Sequence, residues 1–278
     1  MTLPEDLQDI VDLALQEDIG SGDITASLID AACHAEATVL CREQAIICGQ
    51  PWFDACFSAF DASVRVEWLV SEGSEAGPDT VLCRISGPAR SLLTVERTAL
   101  NFLQTLSAVA TETHRYASAI QGSRARILDT RKTLPGLRSA EKYAVSCGGG
   151  KNHRMGLYDA LLIKENHIMA AGSITAAVRE GKTRYPDKPL EVETENLDEF
   201  REALEAGADI IMLDNYELDD IREAVAINGG RAKIEVSGNV TLDTIASLSA
   251  TGIDYISVGA LTKNIRAIDL SMRIQLDL

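Results

Sequence analysis

The sequence of 278 residues contains no apolar run close to the roughly 18 residues of a membrane-spanning helix. Its first ten residues, MTLPEDLQDI, are acidic and lack the apolar core of a signal peptide. Bases are also scarce, with 26 Lys and Arg against 42 Asp and Glu and a formal net charge of −16. Because clustered Lys and Arg supply most affinity for nucleic acid, this composition argues against a general nucleic-acid binder. We therefore predict a cytoplasmic protein that binds neither membrane nor nucleic acid.

Metal-binding cysteine spacing is missing as well. The six cysteines occur at positions 33, 41, 48, 56, 83 and 147, with no C-x-x-C pair and no His–Cys cluster at zinc spacing. We expect them to be thiols of a cytosolic protein, most of them serving as small buried apolar residues. There is no internal repeat, and the apolar content of 46% is typical of a globular chain.

The pattern of apolar residues changes near residue 90. Before it, three short strands and one helix predict a mixed α/β region: ATVLCR, VRVEWLV, TVLCRISG and PEDLQDIVDLALQED. From Leu92 to Ile120 the pattern is helical throughout, and we place a domain boundary within this helix.

Six apolar strands then alternate with amphipathic helices: RILDT, ALLIK, LEVET, DIIMLD, KIEVSG and YISVGA. This alternation predicts a parallel sheet with right-handed crossovers and two strands fewer than a complete TIM barrel. Catalytic groups on such folds gather at the carboxyl ends of the strands, and each of these strands ends in a polar or small residue. The ends are Thr130-Arg131-Lys132, Lys164, Glu193, Asp214, Ser237-Gly238-Asn239 and Gly259.

Positive charge is concentrated in residues 124–154, which contain eight bases within this acidic protein. Such a basic centre indicates a local site for an anion, and Arg forks suit carboxylates and phosphates. The glycine run at 148–150 favours close approach of backbone to a ligand; a flexible loop with solvated bases is the alternative. The side chains that would surround a small polyanion are Arg131, Lys132, His153, Arg154 and Lys164.

Two further features of the strand ends suggest ligands. Glu193 and Asp214 end successive strands, and carboxylates near phosphate groups hold Mg²⁺, often through its waters; ordinary strand-end acids are the alternative. The last two strands end in Ser237-Gly238-Asn239 and Gly259-Ala260, where barrels often bind phosphate; tight turns are the alternative. From the sequence alone, Arg97 is interpreted as a surface side chain or a partner of Glu96.

Nine motifs, in order along nearly the whole chain, resemble the quinolinate phosphoribosyltransferase family. They are EDIGSGDIT at 17–25, ERTALNFLQ at 96–104, DTRKTLPGLR at 129–138, EKYAVSCGGGKNHR at 141–154, LIKENHI at 162–168, EVETENLDE at 191–199, IIMLDN at 210–215, SGNV at 237–240 and DYISVGALTK at 254–263. The resemblance implies an N-terminal α/β sandwich at 1–107, with 267–278 packing on it. An incomplete TIM-like α/β barrel at 108–266 would follow.

The resemblance also implies an activity. The family is a group of pentosyltransferases that convert quinolinate and phosphoribosyl pyrophosphate to nicotinate mononucleotide, pyrophosphate and CO₂ in NAD biosynthesis. It implies Mg²⁺ as cofactor and a homodimer in which each active site is completed by the other subunit.

Site roles follow residue by residue from the same resemblance. Quinolinate would be surrounded by Arg131, His153, Arg154 and Lys164, with Arg97 reaching the pocket from the partner subunit. The predicted catalytic residues, in the pyrophosphate and metal-water region, are Lys132, Glu193 and Asp214; the last two would hold the metal through water. The other predicted substrate-binding residues, including those of the 5′-phosphate loops, are Thr130, Ser237, Gly238, Asn239, Val258, Gly259 and Ala260.

One departure from the family pattern is Asn239, which stands where many relatives have Gly. Asn tolerates left-handed backbone better than most residues, so we expect the loop to keep its conformation. Three alternatives to this function remain at the level of sequence. They are a relative linked to molybdenum transport, a Schiff-base aldolase with Lys164 as nucleophile, and a non-catalytic phosphometabolite sensor.

Overall fold

The structure, a computed structural model, describes residues 2–276, which form two compact units. The first takes in the described residues up to His114, the segment Thr133–Gly149 and the described residues from Leu261 onward. The second consists of Arg115–Lys132 and Gly150–Ala260. Residues 1, 277 and 278, which belong to the predicted 1–107 and 267–278 segments, lie outside the described residues.

Between residues 2 and 119 the structure has three helices, a short 3₁₀ turn at Ala26–Leu28 and five strands. In β1 the residues alternate between exposed and buried from His34 to Ala37, as expected for a strand with one face on a core. The elements are α1 (Leu7–Ile19), β1 (His34–Cys41), β2 (Ala45–Ile46), α2 (Gln50–Phe60), β3 (Arg65–Trp68), β4 (Glu75–Ala76), β5 (Val81–Pro88) and α3 (Ala89–Ala119).

The second part alternates strands and helices, as the apolar pattern predicts. Its elements are β6 (Arg126–Leu128), α4 (Arg138–Cys147), β7 (Leu161–Ile163), α5 (Glu165–Ala171), α6 (Ile174–Arg184), β8 (Leu190–Thr194), α7 (Leu197–Ala206), β9 (Ile210–Asp214), α8 (Leu218–Asn228), β10 (Lys233–Ser237), α9 (Ile245–Ser249), β11 (Tyr255–Ser257), α10 (Ala260–Lys263) and β12 (Leu270–Leu276).

The first unit is built on an antiparallel sheet in the order β12-β1-β5-β3, beside a two-stranded β2–β4 ribbon. Ala37 of β1 pairs with Ile274 of β12 on one side and with Ile85 of β5 on the other. The core of this unit includes the fully buried Trp52 and Phe53 of α2. The segment 267–278 thus contributes a strand to this sheet over its described residues.

The second unit is built on a six-stranded parallel sheet in the order β6-β11-β10-β9-β8-β7. All six predicted strands are present, and the predicted α/β architecture is confirmed. β6 and β7 form the two edges, so the described strands do not close into a barrel. Because the strands are parallel, their carboxyl ends all meet at one edge, where we expect the site.

Gly148 has a different role from the one its sequence context suggests. A Cβ at this position would lie 2.3 Å from the carbonyl oxygen of Ala110 and 2.6 Å from Cβ of Thr113, both on α3. Because such contacts are prohibitive, the missing side chain lets the end of α4 pack against α3. This packing shows that Gly148 is not a flexible loop position, and the approach of the run 148–150 to a ligand stays a prediction.

No helix of residues 2–276 is both long and apolar enough to cross a membrane.

Candidate active site

The carboxyl ends of the parallel strands surround a pocket in the second unit. All six strands, or the loops that follow them, contribute side chains to it. Eight of the predicted substrate-binding residues are among them. The lining residues are Thr130, Arg131, Lys132, His153, Arg154, Leu162, Lys164, Glu193, Met212, Glu235, Ser237 and Ser257.

A larger hollow, in the first unit, lies over the antiparallel sheet. Its lining mixes acids and bases, including Glu36, Arg65, Glu67 and Arg84. None of the fifteen predicted substrate-binding residues, all of which are described, lines this hollow. The second-unit pocket is therefore the candidate active site.

Two guanidinium groups supply much of the positive charge of the pocket. Arg131 is half-buried, and its buried Nε–H has no hydrogen-bond partner among the described residues. Arg154 is half-buried too, and its Nη1 donates to the carbonyl oxygen of Ala160 at 3.3 Å. Burial and the nearby charge of Arg131 lower the pKa of Arg154 from its ordinary value. Two like charges with an unused donor favour an anion at this position.

Acidic and basic groups are mixed at the ends of β7, β8 and β9. The ammonium of Lys164 forms an ion pair with the carboxylate of Glu193. Burial raises the pKa of Asp214, and repulsion from Glu193 raises it further, while Lys164 and Lys132 act in the opposite direction. Two carboxylates that repel each other from adjacent strands are a suitable pair of oxygen donors for a hard cation.

The loop that carries His153 is held by a buried acid. Asp129, directly after β6, accepts hydrogen bonds from Nδ2 of Asn152 at 2.6 Å and from the backbone N–H of His153 at 2.9 Å. Nδ1 of His153 accepts the backbone N–H of Arg154 at 2.7 Å, which leaves the ring proton on Nε2, 2.9 Å from Glu191. Both ring nitrogens thus have protein partners. Direct contact between His153 and quinolinate stays a prediction.

Glu191 and Glu235 are buried acids that the sequence analysis did not select. Their carboxylate oxygens lie 2.9 Å and 3.7 Å from Nε2 of His153. Burial raises the pKa of Glu235 to about 8, and the charge of Glu191 contributes to the shift. Each of these glutamates lies inside an apolar strand of a parallel sheet, and both faces of such a sheet are covered. This position in the sequence is the feature that could have identified them as buried.

The loops after β9 and β10 are joined through Asn215, which was also not predicted. Its backbone N–H donates to the carbonyl of Ser237 at 3.0 Å, and its Nδ2 donates to Oδ2 of Asp214 at 2.9 Å. A Cβ on Gly238 would lie 2.1 Å from Oδ1 of Asn215, so only glycine fits there. Asn215 and Asn239 have φ values of 56° and 49°, and the latter is the left-handed conformation expected for this departure from the family pattern.

The loop after β11 lies beside the end of β6. The backbone N–H of Val258 donates to the carbonyl of Leu128 at 2.9 Å. A Cβ on Gly259 would lie 3.1 Å from Cδ of Lys132, so the glycine leaves room for this lysine side chain. Ala260 begins α10, which is only four residues long. These positions place Lys132 against the loop predicted to receive phosphate.

The basic residues of 124–154 do not form one cluster. Arg124, before β6, forms an ion pair with Asp254, and Lys142 is fully buried within α4 of the first unit. The bases of this run that line the pocket are Arg131, Lys132 and Arg154. Counting charges along the sequence therefore overestimates the positive charge of the site.

Arg97 lies on α3 in the first unit and is exposed, between the half-buried Glu96 and the buried Thr98. Burial raises the pKa of Glu96, and the charge of Arg97 lowers it. The predicted role of Arg97 across a subunit interface stays a prediction.

Comparisons with known proteins agree over nearly the whole chain. Residues 23–107 match the domain family "Quinolinate phosphoribosyl transferase, N-terminal domain", and residues 109–273 match the corresponding C-terminal domain. The probable nicotinate-nucleotide pyrophosphorylase [carboxylating] of Bacillus subtilis is 40% identical over 94% of this chain and 90% of its own length. The chloroplastic nicotinate-nucleotide pyrophosphorylase [carboxylating] of Oryza sativa subsp. japonica is also 40% identical, over 98% of this chain and 79% of its own length. The solved nicotinate-nucleotide pyrophosphorylase of Francisella tularensis is 46% identical, with a TM-score of 0.95 over 99% of this chain and 98% of that one.

Proposed function

The chain belongs to the quinolinate phosphoribosyl transferase family, and we propose that the pocket of its second unit carries out that family's reaction. Quinolinate and phosphoribosyl pyrophosphate are converted to nicotinate mononucleotide, pyrophosphate and CO₂ in NAD biosynthesis. The observation that supports this site most directly is the buried, unpartnered Nε–H of Arg131 beside the second guanidinium of Arg154.

Quinolinate is a planar dianion, and the basic side of the pocket suits it. Arg131 and Arg154 offer planar forks that bind carboxylates through paired hydrogen bonds. Lys164 supplies a third cation, which exchanges its partner Glu193 for the substrate or holds both. His153 positions the backbone of Arg154 through the hydrogen bond at its Nδ1. The charge of the substrate would offset the repulsion between the two guanidinium groups.

Phosphoribosyl pyrophosphate would lie along the remaining strand ends. Its 5′-phosphate would meet the backbone of 237–239 and 258–260. In the first of these loops, the left-handed residues Gly238 and Asn239 favour exposed backbone N–H groups. Lys132, whose stem lies against Gly259, would reach the pyrophosphate. This assignment separates the two substrates, with the carboxylates of quinolinate at the arginines and the phosphates at the loops.

The acids of the site fit Mg²⁺. Glu193 and Asp214 provide hard oxygen donors on adjacent strands. Burial is the main cause that raises the pKa of Asp214, and a cation would relieve the added repulsion from Glu193. When bound there, Mg²⁺ neutralises charge on the pyrophosphate leaving group. The protein's own contribution is to hold these two carboxylates close together, with Asp214 oriented by the amide of Asn215.

The chemistry needs positioning and electrostatics more than a nucleophile from the protein. The ring nitrogen of quinolinate attacks the anomeric carbon as pyrophosphate leaves, through an oxocarbenium-like state. Loss of the adjacent carboxylate as CO₂ leaves an electron pair on the ring carbon, which the positive charge of the pyridinium stabilises, and a proton taken up at that carbon completes nicotinate mononucleotide. Arg131 and Arg154 align the pyridine ring, and Lys132 stabilises the leaving group. Lys164, the nucleophile of the aldolase alternative, is in an ion pair with Glu193, which suits a cationic binding role.

We also propose that the active protein is a homodimer in which Arg97 serves the partner's pocket. In support, Arg97 is exposed although it lies on a helix whose neighbouring residues are mostly buried. We further propose a cytoplasmic location, because all six cysteines are thiols and none is in a disulfide.

The test of the function is direct turnover. Purified protein with quinolinate, phosphoribosyl pyrophosphate and Mg²⁺ should release nicotinate mononucleotide, pyrophosphate and CO₂ in equal amounts. Nicotinate in place of quinolinate should react poorly, because it lacks the second carboxylate. No nicotinate mononucleotide from folded protein would refute the proposal.

The division of the site has its own test in Glu193→Gln. This neutral isostere should weaken metal-dependent use of phosphoribosyl pyrophosphate more than it weakens quinolinate binding, measured by calorimetry. Equal loss of both affinities would contradict the assignment of Glu193 to the metal and pyrophosphate.

A further inference from the structure

A cluster of metal-ligating side chains lies in the first unit, apart from the residues assigned to the reaction. Cys48 lies between β2 and α2, Glu72 between β3 and β4, and Cys147 ends α4. One ligand atom from each of the three lies within 4.8 Å of the other two. These residues are distant in sequence, so the fold itself brings two sulfurs and a carboxylate together.

Two of the three ligands are fixed in place by hydrogen bonds. The Glu72 carboxylate accepts the backbone N–H of Gly49 at 2.8 Å on one oxygen and that of Gln50 at 3.1 Å on the other. The backbone N–H of Cys48 donates to Oγ of Ser107 at 2.9 Å, and that hydroxyl donates back to the Cys48 carbonyl at 3.1 Å. Each carboxylate oxygen of Glu72 keeps a second lone pair, which points away from its backbone donor.

The two sulfurs differ in their surroundings. Cys48 is fully buried, and burial raises the pKa of its thiol well above the ordinary value. Cys147 is half-buried; the hydrogen bond from the Cys48 thiol is the main cause that lowers its pKa, and the Tyr143 hydroxyl adds to it. Two sulfurs and a carboxylate this close together suit a cation, whose binding to the sulfurs displaces the thiol protons.

We propose that Cys48, Glu72 and Cys147 bind a thiophilic divalent cation of the zinc class, with water as the fourth ligand. Zinc takes sulfur and carboxylate ligands in tetrahedral geometry at about 2.0–2.3 Å, which brings ligand atoms to within about 4 Å of one another. The side chains therefore need only a small inward movement. The partial exposure of Cys147 and Glu72 gives the ion and its water access.

The chemistry of this site separates it from the one at Glu193 and Asp214. Two carboxylates select hard cations such as Mg²⁺, whereas thiolates select softer ones. The proposed ion is therefore not the one that accompanies phosphoribosyl pyrophosphate. Because Cys147 directly precedes Gly148, where α4 packs on α3, we expect bound ion to stabilise the end of α4.

Cobalt(II) is the probe, because its spectrum identifies its ligands. Reduced, metal-free protein is titrated with Co²⁺ and the near-ultraviolet thiolate-to-cobalt charge-transfer band is recorded. We expect one Co²⁺ per chain with this band, and its displacement by one equivalent of Zn²⁺. The band should persist in Glu193→Gln, since carboxylates at the active site give no thiolate transition.

Variants and a labelling experiment then locate the ion. Cys147→Ser should lose the band, whereas Cys33→Ser, a change at a second half-buried cysteine, should keep it. In wild-type protein, Zn²⁺ should slow alkylation of Cys147 by iodoacetamide at least about tenfold, measured by peptide mass spectrometry, without protecting Cys33. Because this measurement uses the wild-type protein, its result does not depend on whether a variant folds.

Three results would overturn the proposal. The first is a cobalt spectrum of the reduced wild-type protein that lacks the charge-transfer band. The second is the same band in folded Cys147→Ser. The third is equal alkylation of Cys147 with and without Zn²⁺. A Cys48–Cys147 disulfide that forms in air, together with no cobalt band after reduction, would show a redox pair instead of a metal site.

Discussion

The side-chain amide of Asn239 donates a hydrogen bond to Oδ1 of Asn215, 3.2 Å away. Asn215 in turn donates to Asp214, so a chain of two amides connects the predicted phosphate loop to a predicted metal ligand. Both asparagines have positive φ, a conformation that costs energy in residues other than glycine and is concentrated at functional sites. This connection predicts that Asn215 positions Asp214.

Asn215→Gly isolates that role, because glycine accepts the φ of 56° and removes only the amide. A hydrogen bond to a charged group contributes about 1.5–3 kcal/mol. We expect the KM for phosphoribosyl pyrophosphate to rise roughly tenfold, with quinolinate affinity little changed. Asn239→Gly is the matched control, since it leaves the bond to Asp214 intact and should have a smaller effect. Equal effects of the two changes would remove Asn215 from this role.

Arg131→Ala should lose at least about 100-fold in activity while the protein stays folded. Arg131 would form a buried charge pair with a carboxylate of quinolinate, and removing one partner of such a pair costs roughly 2–5 kcal/mol. Steady-state kinetics measure the loss of activity, and circular dichroism shows whether the variant stays folded. Arg126→Ala, at the exposed start of β6, is the control and should keep near-normal turnover. Near-normal turnover of Arg131→Ala would show that the guanidinium does not bind substrate.

Mixed dimers test the shared active site. Arg97→Ala and Arg131→Ala homodimers should each be nearly inactive. If Arg97 serves the opposite pocket, a mixed dimer has one site with both defects and one with neither. Random mixing makes about half of all dimers mixed, so roughly a quarter of wild-type activity per site should return. No recovery, with subunit exchange confirmed by mass spectrometry, would place Arg97 in its own subunit's site or outside the site.

Glu235 predicts a pH dependence of stability. Its folded pKa of about 8 lies above the ordinary value of 4.5, so the folded state binds an extra proton between these values. The free energy of unfolding should therefore fall as pH rises from about 5 to 8, and this loss should be complete above the folded pKa. Glu235→Gln should flatten that slope in urea unfolding series. An unchanged slope in the variant would assign it to other groups.

Gly148→Ala should destabilise the protein, because the new Cβ would meet the carbonyl oxygen of Ala110 at 2.3 Å. Overpacking of this kind typically costs about 1–3 kcal/mol. Gly77→Ala is the matched control: its Cβ would meet only the flexible end of Gln44, at 3.3 Å. Thermal unfolding should show a clearly lower Tm for Gly148→Ala than for the wild type, and little change for Gly77→Ala. Equal Tm values would mean that α3 and α4 separate without cost.

The sequence predicted the second unit well because its signals are local. Each of the six strands is a short apolar run with a polar or small residue at its end, and Glu193 and Asp214 lie at or next to the carboxyl ends of β8 and β9. In the first unit, the helix α4 was not predicted, because bases such as Arg138 and Lys142 obscure the apolar pattern of its sequence. Glu191 and Glu235 were missed because their importance depends on burial beside His153, which no spacing along the chain reveals.

The cysteine cluster shows the same limit. Zinc sites are recognised in a sequence by closely spaced ligands, and this chain has no such pair. Cys48, Glu72 and Cys147 come together only because α4 packs against α3 and the loop before β4 lies over the start of α2. Contacts of this kind depend on tertiary structure and have no periodic signal.

The pairing of β1 with β12 has a consequence for biosynthesis. Ala37 and Ile274 are neighbours in the sheet, yet the ribosome makes them more than two hundred residues apart. Until β12 has been translated, one edge of β1 is unpaired, and an unpaired edge can form hydrogen bonds with strands of other nascent chains. Domains usually form in the order in which they are translated. In this chain we expect the parallel sheet of the second unit to form before the antiparallel sheet of the first unit is complete. Deletion of β12 should leave one edge of β1 unpaired and cause the nascent chain to aggregate.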